Sequence, residues 1–371
     1  MLSVLLLTKK ANHTANVLLA VAMFALSLDV FHSAFIMFGY YKDFPHFTGV
    51  TYAFTFLYGP IFYLYAKIIS TDNHTFNKKY FLHFIPFLIV MLYGFLFVYL
   101  RSSEFKLSLI ANREKPFGLE FFDYMKPVHG LIYTFLTIQV VRVFNNKIRN
   151  SFSNIEQINL NWLKHLTIGL SIIWSIVVVN YIADEISARD INMDHFIYMA
   201  VSVLVYSIGY LSLRQPRIFD RTEKVENKII DNSKVKTAVG TSYKKSGLAD
   251  SEAEKYLNKL LQIMKNVKPY LNSELTLRDL ADKLSISTHN LSEILNTRLN
   301  QNFYDFINQY RIEEVKKRLT DIQFKNYSII AVAFDSGFNS KSAFNTIFKK
   351  HTGLTPSQYR RDFMNNLKVE T

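Results

Sequence analysis

Four polar side chains near the C-terminus share one face of a short predicted helix. An asparagine amide pairs well with adenine and a lysine ammonium with guanine, and hydroxyls bond to either. This face therefore has the chemistry for hydrogen-bonded recognition of base edges. Its members are Lys341, Ser342, Asn345 and Thr346.

The residues around this face form a helix-turn-helix pattern. Ala333 lies in a predicted short helix that ends before Gly337. A small residue in the first helix and a glycine at the turn let two helices cross closely. Ser340 is placed to cap the following helix, which Gly353 and Pro356 end. Ser328 is placed to cap the preceding one.

A second helix-turn-helix pattern precedes the first in the chain. Thr276 and Asp279 have the spacing of a capping box, Ala281 is the small residue at the crossing, and Ser287 is placed to cap the next helix. An amphipathic helix is predicted before this pattern, at 252–267. The polar face of its second helix holds Thr288, His289, Ser292 and Glu293.

One long helix, predicted at about 303–319, joins the two patterns. This arrangement resembles the AraC/XylS family of bacterial transcription regulators over about residues 256–361. The matching residues include Phe303, the Ile307-Asn308-x-Tyr310-Arg311-Ile312 run, Ala333, Gly337-Phe338, Phe344, Phe348-Lys349-Lys350, Gly353, Pro356 and Tyr359-Arg360. Ser285 departs from the glycine often found at the first turn.

The resemblance implies that both recognition helices enter successive major grooves of double-stranded promoter DNA, about 34 Å apart. The two polar faces then supply the base-contact candidates. Glu293 is suited to accept from cytosine, or instead to remain solvated or pair with Arg298. RNA polymerase is an expected partner. Candidates for phosphate or fold-stabilising contacts are Arg298, Arg311, Lys349, Lys350, Arg360 and Arg361.

The first 213 residues have the composition of a membrane protein. A span needs about 20 apolar residues, and six stretches qualify: 15–39, 47–69, 80–100, 122–144, 163–183 and 195–213. Lys and Arg are concentrated in alternate loops, which places the C-terminal half in the cytoplasm by the positive-inside rule. If translation starts upstream, residues 1–7 are the end of a seventh span.

Five polar residues lie at membrane depth and are sensor candidates, since ionisable groups there are expensive. The alternative role is to hold the helix bundle together. A zinc site formed by His83 and His129 is disfavoured because no carboxylate pattern lies nearby. No metal or cofactor is therefore predicted. The sensor candidates are Asp29, His32, His83, His129 and Asn180.

Charge and cysteine content restrict the class of protein. The net charge is +13, and residues 214–371 hold 27 Lys/Arg against 18 Asp/Glu, compared with 16 against 12 in residues 1–213. A basic soluble part suits a polyanionic partner. The chain has no cysteine, which excludes disulfides, thiolate catalysis and thiolate metal sites.

The predicted architecture is all-α. A polytopic transmembrane helix bundle (1–213) is followed by a flexible cytoplasmic linker (214–250), a tandem helix-turn-helix domain (251–365) and a tail (366–371). The layout resembles the membrane-spanning AraC-type regulators of the Bacteroidetes, which implies a multi-pass protein of the bacterial cytoplasmic (inner) membrane. Its expected partners are promoter DNA, the lipid bilayer and an unidentified small-molecule or envelope signal; a homodimer is left open.

The leading hypothesis is a membrane-anchored one-component transcription factor and not an enzyme. The alternative is a membrane transporter or enzyme with a regulatory DNA-binding tail. Against it, the sequence has no internal inverted repeat and no nucleophile or metal constellation. A third hypothesis is a DNA-binding module released from its anchor by proteolysis, which the long linker would permit.

Overall fold

The computed structural model describes residues 1–8, 12–71, 76–111, 116–156, 158–186, 199–204, 206–207, 210–211 and 250–369. Over these residues the chain is helical, and its β-type pairing is limited to an isolated antiparallel bridge between Phe152 and Thr276. The all-α prediction is confirmed. The chain divides into two compact units: Met1–Phe144 with Leu160–Val225, and Asn145–Asn159 with Glu226–Thr371.

The helices from α1 to α7 lie wholly or largely in the first unit. They are α1 (Leu2–Thr8), α2 (His13–Met37), α3 (Thr55–Ile69), α4 (Ile85–Gly94), α5 (Ser103–Ala111), α6 (Leu119–Ser151) and α7 (Asn161–Ile186). A 3₁₀ helix at Lys78–Phe84 and a π turn at Phe95–Tyr99 extend α4 at both ends. Residues 199–204, 206–207 and 210–211 are also helical. The last seven residues of α6 belong to the second unit.

Four helical stretches are long and apolar enough to cross a membrane. They are His13–Met37, Lys78–Tyr99, Leu119–Ser151 and Asn161–Val179. Each overlaps one of the six spans predicted from the sequence. About half of the predicted span at 195–213 lies outside the described residues, and the polar linker from residue 214 to residue 249 lies outside them entirely.

The predicted span at 47–69 takes a different form. Short 3₁₀ turns at Pro45–Phe47 and Tyr52–Phe54 precede α3, and Gly49 between them has a left-handed φ of 76°. Helix α3 has 15 residues. At about 1.5 Å per residue it is roughly 22 Å long, shorter than a hydrocarbon core of about 30 Å.

Helix α3 is instead a packing element of the first unit. Ten of its 15 residues are buried, a far larger share than a helix surrounded by lipid would show. Phe56 packs in a small cluster with Ala53 and Val90. A Cβ at Gly59 would lie 2.8 Å from the Cβ of Tyr133, so the missing side chain lets α3 approach α6 closely.

Seven helices follow in the second unit. They are α8 (Asp250–Asn266), α9 (Leu277–Leu284), α10 (Thr288–Arg298), α11 (Phe303–Leu319), α12 (Ile329–Asp335), α13 (Lys341–Thr352) and α14 (Pro356–Val369). The amphipathic helix predicted at 252–267 is confirmed as α8. The long helix predicted at about 303–319 is confirmed as α11.

Helix α11 contributes to two separate hydrophobic cores. Its first half supplies Phe303, Phe306 and Ile307 to a core that packs against α8, α9 and α10. Its second half supplies Val315 and Leu319, among others, to a core formed with α12 and α13. Each helix-turn-helix therefore has its own core, and a single rigid element joins the two.

Helix α14 follows directly after the predicted helix stop. Thr355 Oγ1 accepts from the backbone N–H of Gln358 at 3.3 Å, and Gln358 Oε1 accepts from the backbone N–H of Thr355 at 2.9 Å. These reciprocal bonds form a capping box, and Pro356 occupies the first helical position, which suits its fixed φ. The Thr-Pro-Ser-Gln sequence was therefore a helix-start signal.

Candidate nucleic-acid interface

Side-chain caps begin the four helices of the two motifs, as the sequence predicted. Thr276 and Asp279 form a complete capping box at α9. Ser287 begins α10, Ser328 begins α12 and Ser340 begins α13, each by accepting a backbone N–H three residues later. Because each cap satisfies an otherwise unpaired donor, it sets where the helix starts and which residues face outward.

The turns of the two motifs use different residues. Ser285 adopts a left-handed conformation, with φ 60° and ψ 42°, where the sequence comparison expected a glycine. Gly337 has φ 95°. A Cβ at Gly337 would lie 2.2 Å from the carbonyl oxygen of Tyr270 and 2.9 Å from Arg311 Nε. Conformation alone favours glycine in the first turn, whereas lack of space requires it in the second.

Helix α13 presents its polar residues to solvent. All four of its base-contact candidates are exposed, and the opposite side of the helix is buried through Phe344, Ile347 and Phe348. This two-sided division is the geometry required of a helix that enters a groove while it remains attached to its domain. The exposed candidates are Lys341, Ser342, Asn345 and Thr346.

Helix α10 presents a shallower polar face. Thr288 and His289 are exposed, whereas Ser292 and Glu293 are half-buried. Ser292 Oγ accepts from Asn296 Nδ2 at 3.3 Å. Glu293 lines a cleft together with Asp250 at the start of α8. The first turn of α10 is therefore more accessible to a ligand than its middle.

The cationic candidates fall into exposed and engaged groups. Lys349 and Arg361 are exposed, and Lys350 is exposed with its Nζ 3.6 Å from Asp305. Arg298 pairs with the carboxylate of Asp250, so the structure gives it a partner other than Glu293. Among these candidates, Lys349 and Lys350 on α13 and Arg361 on α14 are therefore accessible to a ligand.

Arg311 is not placed to contact a phosphate and has instead the fold-stabilising role that the sequence left as the alternative. Only 1% of it is exposed, so its guanidinium has no access to a phosphate. It donates to the carbonyl oxygens of Tyr270 and Asn272, at 2.8 Å each, and to Ser153. Burial lowers its pKa to about 10. The side chain joins parts of the second unit, because its planar donor fork can serve several acceptors at once.

Arg360 has the fold-stabilising role that the sequence left as an alternative to phosphate binding. Its Nη1 donates to Tyr327 O at 2.7 Å, and its Nη2 donates to Phe324 O at 2.9 Å and to Lys325 O. These carbonyls belong to the connection between α11 and α12. Arg360 therefore fastens α14 to that connection.

A charged cluster on α11 was absent from the sequence interpretation. Glu314 accepts from Lys268 Nζ at 3.1 Å, from Tyr270 Oη at 3.3 Å and from Arg318 Nε at 2.9 Å. Burial raises the pKa of Glu314, but the hydrogen bonds from Lys268 and Arg318 outweigh it, so the net pKa lies below the usual carboxyl value. The Glu314–Arg318 spacing of four residues was the available signal.

Among the side chains that the structure describes, the sensor candidates of the first unit are not gathered into one site. Asp29 accepts from Tyr58 Oη at 2.5 Å, and His32 Nε2 accepts from the backbone N–H of Gly49 at 3.1 Å. These bonds connect α2 to the chain that follows it. They match the alternative role of holding the bundle together.

Two histidines contact the same tyrosine on α6. His83 Nδ1 lies 2.9 Å from Tyr133 Oη, and the ring of His129 lies 4.7 Å from that of Tyr133. Both ring nitrogens of His129 are buried without a hydrogen-bond partner. Among the described residues, no group of three or more His, Asp or Glu side chains is arranged to hold a metal ion. The side chain of Asn180 lies outside the described residues.

Comparison with known proteins identifies the C-terminal part. Residues 280–362 match a family model described as a helix-turn-helix domain. An uncharacterised HTH-type transcriptional regulator of Staphylococcus aureus is 30% identical over 105 residues, which is 28% of this chain and 14% of the relative. The Msm operon regulatory protein of Streptococcus mutans is 28% identical over 118 residues, or 32% of this chain and 40% of that protein.

Solved structures also match this part of the chain. The C-terminal domain of AraT, a response regulator from Geobacillus stearothermophilus, is 26% identical and aligns over 32% of this chain and 88% of its own, with a TM-score of 0.25. The C-terminal domain of the response regulator yesN from Fusobacterium nucleatum is 32% identical and aligns over 30% of this chain and 99% of its own, with a TM-score of 0.24.

The family model and the two relatives support a helix-turn-helix domain in the C-terminal part of the chain. The two relatives are described as an HTH-type transcriptional regulator and as an operon regulatory protein. The aligned region covers only 14% of the length of the first relatives, and all of the alignments reported above cover less than a third of this chain. The function of the whole protein is therefore a separate inference.

Proposed function

We propose that this protein is a membrane-anchored transcription factor of the AraC/XylS type. It binds promoter DNA sequence-specifically through both helix-turn-helix motifs, and a signal sensed by its membrane helices regulates that binding. The signal is a small molecule or an envelope component, and RNA polymerase and a second copy of the chain are the further partners we propose. The observation that carries the proposal is the pair of recognition helices, α10 and α13, on one connecting helix.

The geometry of the second unit supports binding to two grooves. Each recognition helix buries one side in its own core and exposes hydrogen-bonding residues on the other. Helix α11 has 17 residues and contributes to both cores, so it restricts the separation and angle of the two motifs. A duplex presents its major groove again after about 34 Å, and a rigid connection reduces the ordering cost of binding twice.

Charge supports a polyanionic ligand for the C-terminal part of the chain. Residues 214–371 hold 27 Lys/Arg against 18 Asp/Glu, and Lys349 and Lys350 extend from the exposed end of α13. Lysines near phosphates strengthen binding to all sequences and make it sensitive to salt. Specificity then depends on the amide, hydroxyl and ammonium groups at the start of α13 and of α10.

The surface of the first unit supports insertion into a bilayer. Large apolar side chains are exposed along α2, α4 and α6, and they include Phe31 (68%), Leu92 (59%) and Phe135 (60%). Exposed apolar surface on this scale is costly in water. We propose that lipid covers it in the bacterial cytoplasmic membrane, with the second unit in the cytoplasm as the Lys/Arg distribution predicts.

Selection of binding sites and chromatin immunoprecipitation test the proposed function together. The full-length protein, reconstituted in nanodiscs, is presented with a pool of random duplexes, and bound duplexes are sequenced over several rounds. We expect a motif of two half-sites about one helical turn apart. The same motif should lie under sharp peaks when the tagged protein is precipitated from its native cells.

A matched variant provides the control for both assays. Asn345→Ala should shift the selected motif at one base position while the other positions remain. If the protein enriches no sequence and its chromatin signal is diffuse, promoter recognition is excluded as its function. If one half-site alone is enriched, the proposal that both motifs enter the DNA fails.

A further inference from the structure

A short segment from the middle of the chain forms part of the second unit. Residues Asn145–Asn159 comprise the end of α6 and the connection to α7, yet they are grouped with α8–α14. We call them the docking segment. Helix α6 is continuous through Ser151, so the docking segment is covalently joined to one of the four membrane-length helices.

The docking segment makes backbone contacts next to the first helix-turn-helix. Phe152 and Thr276 form an antiparallel bridge. The backbone N–H of Ser153 donates to Leu275 O at 3.3 Å, and Ser153 Oγ donates to the same oxygen at 2.6 Å. Thr276 is the N-cap of α9, so the contact is made where that motif begins.

The central contact of the docking segment is with Arg311. Arg311 Nη1 donates to Ser153 O and Nη2 donates to Ser153 Oγ, each at 3.0 Å. Arg311 is 1% exposed and Ser153 is 2% exposed. A buried guanidinium that loses its acceptors must either bond to water that enters the site or keep unpaired donors. Unpaired buried donors on a charged group cost more free energy than an ordinary hydrogen bond contributes. Ser153 therefore supplies two acceptors to Arg311 at a place that is closed to solvent.

Arg311 also lies at the junction of the two helix-turn-helix motifs. On one side it donates to Tyr270 O and Asn272 O, which precede α9. On the other side its guanidinium carbon lies 6.0 Å from the ring centroid of Phe338, which belongs to the second core. The side chain that Ser153 holds is thus in contact with both halves of the candidate nucleic-acid interface.

A second group of contacts involves the start of α11. The guanidinium of Arg149 lies 5.3 Å from the ring centroid of Tyr304, and its Nη2 lies 3.5 Å from Asp305 Oδ1. Asp305 also lies 3.6 Å from Lys350 on the second recognition helix. The docking segment thus contacts α11 near its beginning and, through Ser153, near its middle.

We propose that the docking segment couples α6 to DNA binding by holding Arg311 in place. With the segment bound, Arg311 fixes the turn before α9 against α11 and the two recognition helices keep the angle that suits two successive grooves. A signal that moves α6 withdraws Ser153, loosens this junction and lowers operator affinity. The docked form is the high-affinity form, and this inference rests on the proposed function.

The absence of cysteine from the chain permits a direct test of docking. Residues bridged across antiparallel strands have Cα atoms about 4.5–5.5 Å apart, within the roughly 4.4–6.8 Å that a disulfide spans. Full-length Phe152→Cys/Thr276→Cys protein in nanodiscs should cross-link nearly completely under mild oxidation. The matched controls are the two single-cysteine variants, which should form no intramolecular bond.

A rescue experiment tests the coupling. Ser153→Ala should weaken binding to the duplex that the protein itself enriches from a random pool by at least about tenfold, because the hydroxyl loses its bond from the charged Arg311 and its bond to Leu275 O. Ser151→Ala, two residues earlier, is the matched control and should leave the affinity within about twofold. Adding Phe152→Cys and Thr276→Cys to Ser153→Ala should raise affinity on oxidation and lower it again on reduction. Thr276→Cys also removes the N-cap of α9, so the oxidised and reduced forms of this one protein are compared with each other.

The outcomes distinguish a failure of the docking proposal from a failure of the proposed function. Failure of the double-cysteine protein to cross-link would overturn docking, whatever the protein does with DNA. Equal affinity of the oxidised and reduced rescue variant would overturn coupling, because oxidation changes only the bond that holds the segment. If no form of the protein enriches a sequence, the proposed function fails and coupling fails with it, while the cross-linking yield still decides docking.

Discussion

The two helix-turn-helix motifs share one plan but tolerate different changes. The first turn contains Ser285 in a left-handed conformation at φ 60°. The second contains Gly337 at φ 95°, where an added Cβ would overlap the carbonyl oxygen of Tyr270. The comparison shows that one position in a motif can be constrained by backbone conformation in one copy and by contact with a neighbour in the other.

The recognition helices differ in a related way. Helix α13 has four exposed candidates at its start and Lys349 and Lys350 near its end. Helix α10 exposes Thr288 and His289, while Arg298 is paired with Asp250. We infer that the second motif supplies more of the electrostatic affinity, because its cations are freer to approach phosphates.

The largest expected effect breaks the second turn. Gly337→Ala should destabilise the second motif by more than about 3 kcal/mol, because a left-handed residue and a steric overlap coincide. Gly353→Ala is the matched control: Gly353 also has a left-handed φ, 76°, but nothing lies within 4 Å of an added Cβ, so about 1 kcal/mol is expected. Amide hydrogen exchange of residues 329–352 in the full-length protein measures both. Equal losses would refute the steric argument.

The next effect concerns Glu314, which bonds to Lys268 and Tyr270 before α9 and to Arg318 on its own helix, α11. Glu314→Gln should cost about 2 kcal/mol at neutral pH, since bonds to charged groups are lost. The pKa of Glu314 is lowered in the folded protein, so its stabilisation is present above the unfolded pKa of about 4.5 and is lost as pH falls through the folded value.

Hydrogen exchange at a series of pH values tests this assignment. The difference in local stability between the wild type and Glu314→Gln should shrink below about pH 4.5, where the unfolded-state carboxyl binds a proton. Glu313→Gln is the control, because Glu313 is exposed and pairs with Lys316 on the surface. A difference that stays constant with pH would show that the Glu314 carboxylate is not the source of the stability.

Base contact by α13 should give an effect confined to one position. Asn345→Ala is expected to cost about 1–3 kcal/mol at one base pair and to relax specificity there. Competition binding with single-base variants of the selected duplex measures the change. His289→Ala gives the comparison for α10. An equal penalty on the selected duplex and on random duplexes would contradict a base contact by Asn345.

A phosphate contact should weaken binding to every sequence alike. Lys349→Ala is expected to reduce affinity uniformly and to lower the salt-dependence slope by about one. Lys255→Ala removes an exposed lysine from α8, outside both recognition helices, and serves as the control. Titrations at several salt concentrations give the slopes. An unchanged slope for Lys349→Ala would exclude the contact.

The smallest expected effect returns to the first turn. Ser285→Gly should stabilise the first motif by about 0.5 kcal/mol. Glycine relieves the strain of the left-handed conformation, and the greater conformational entropy of glycine in the unfolded chain offsets part of that gain. Hydrogen exchange of residues 277–298 checks the sign. A loss of stability would mean that the Ser285 side chain has a favourable contact that outweighs the strain.

Local patterns predicted much of the second unit. The caps at Thr276, Ser287, Ser328 and Ser340 were identified because capping depends on side chains within three residues of each other. The apolar faces of α8 and α13 followed from helical periodicity, which the packing preserves. Helix α14 was missed even though its Thr355–Gln358 capping box is local, because Pro356 was interpreted only as a stop.

Non-local contacts explain where prediction failed. The sequence left Arg311 as a candidate for a phosphate contact or for a fold-stabilising one, because its partners are carbonyls distant in sequence that no local pattern identifies. The stretch 47–69 has the hydropathy of a span and stays a prediction; the structure adds that 3₁₀ turns form its first part and that α3 is largely buried. Hydropathy counts apolar residues and does not register which of them pack on protein and which face lipid.

The amino-acid sequence by itself determined the helices, their caps, the tandem helix-turn-helix and the apolar stretches, because periodicity, capping and charge act over a few residues. Only the tertiary structure decided that Gly337 has no room for a side chain, that Arg311 is internal and that residues 145–159 join the second unit. Those features depend on which distant residues meet, and Ser153 and Arg311 are separated by 158 positions.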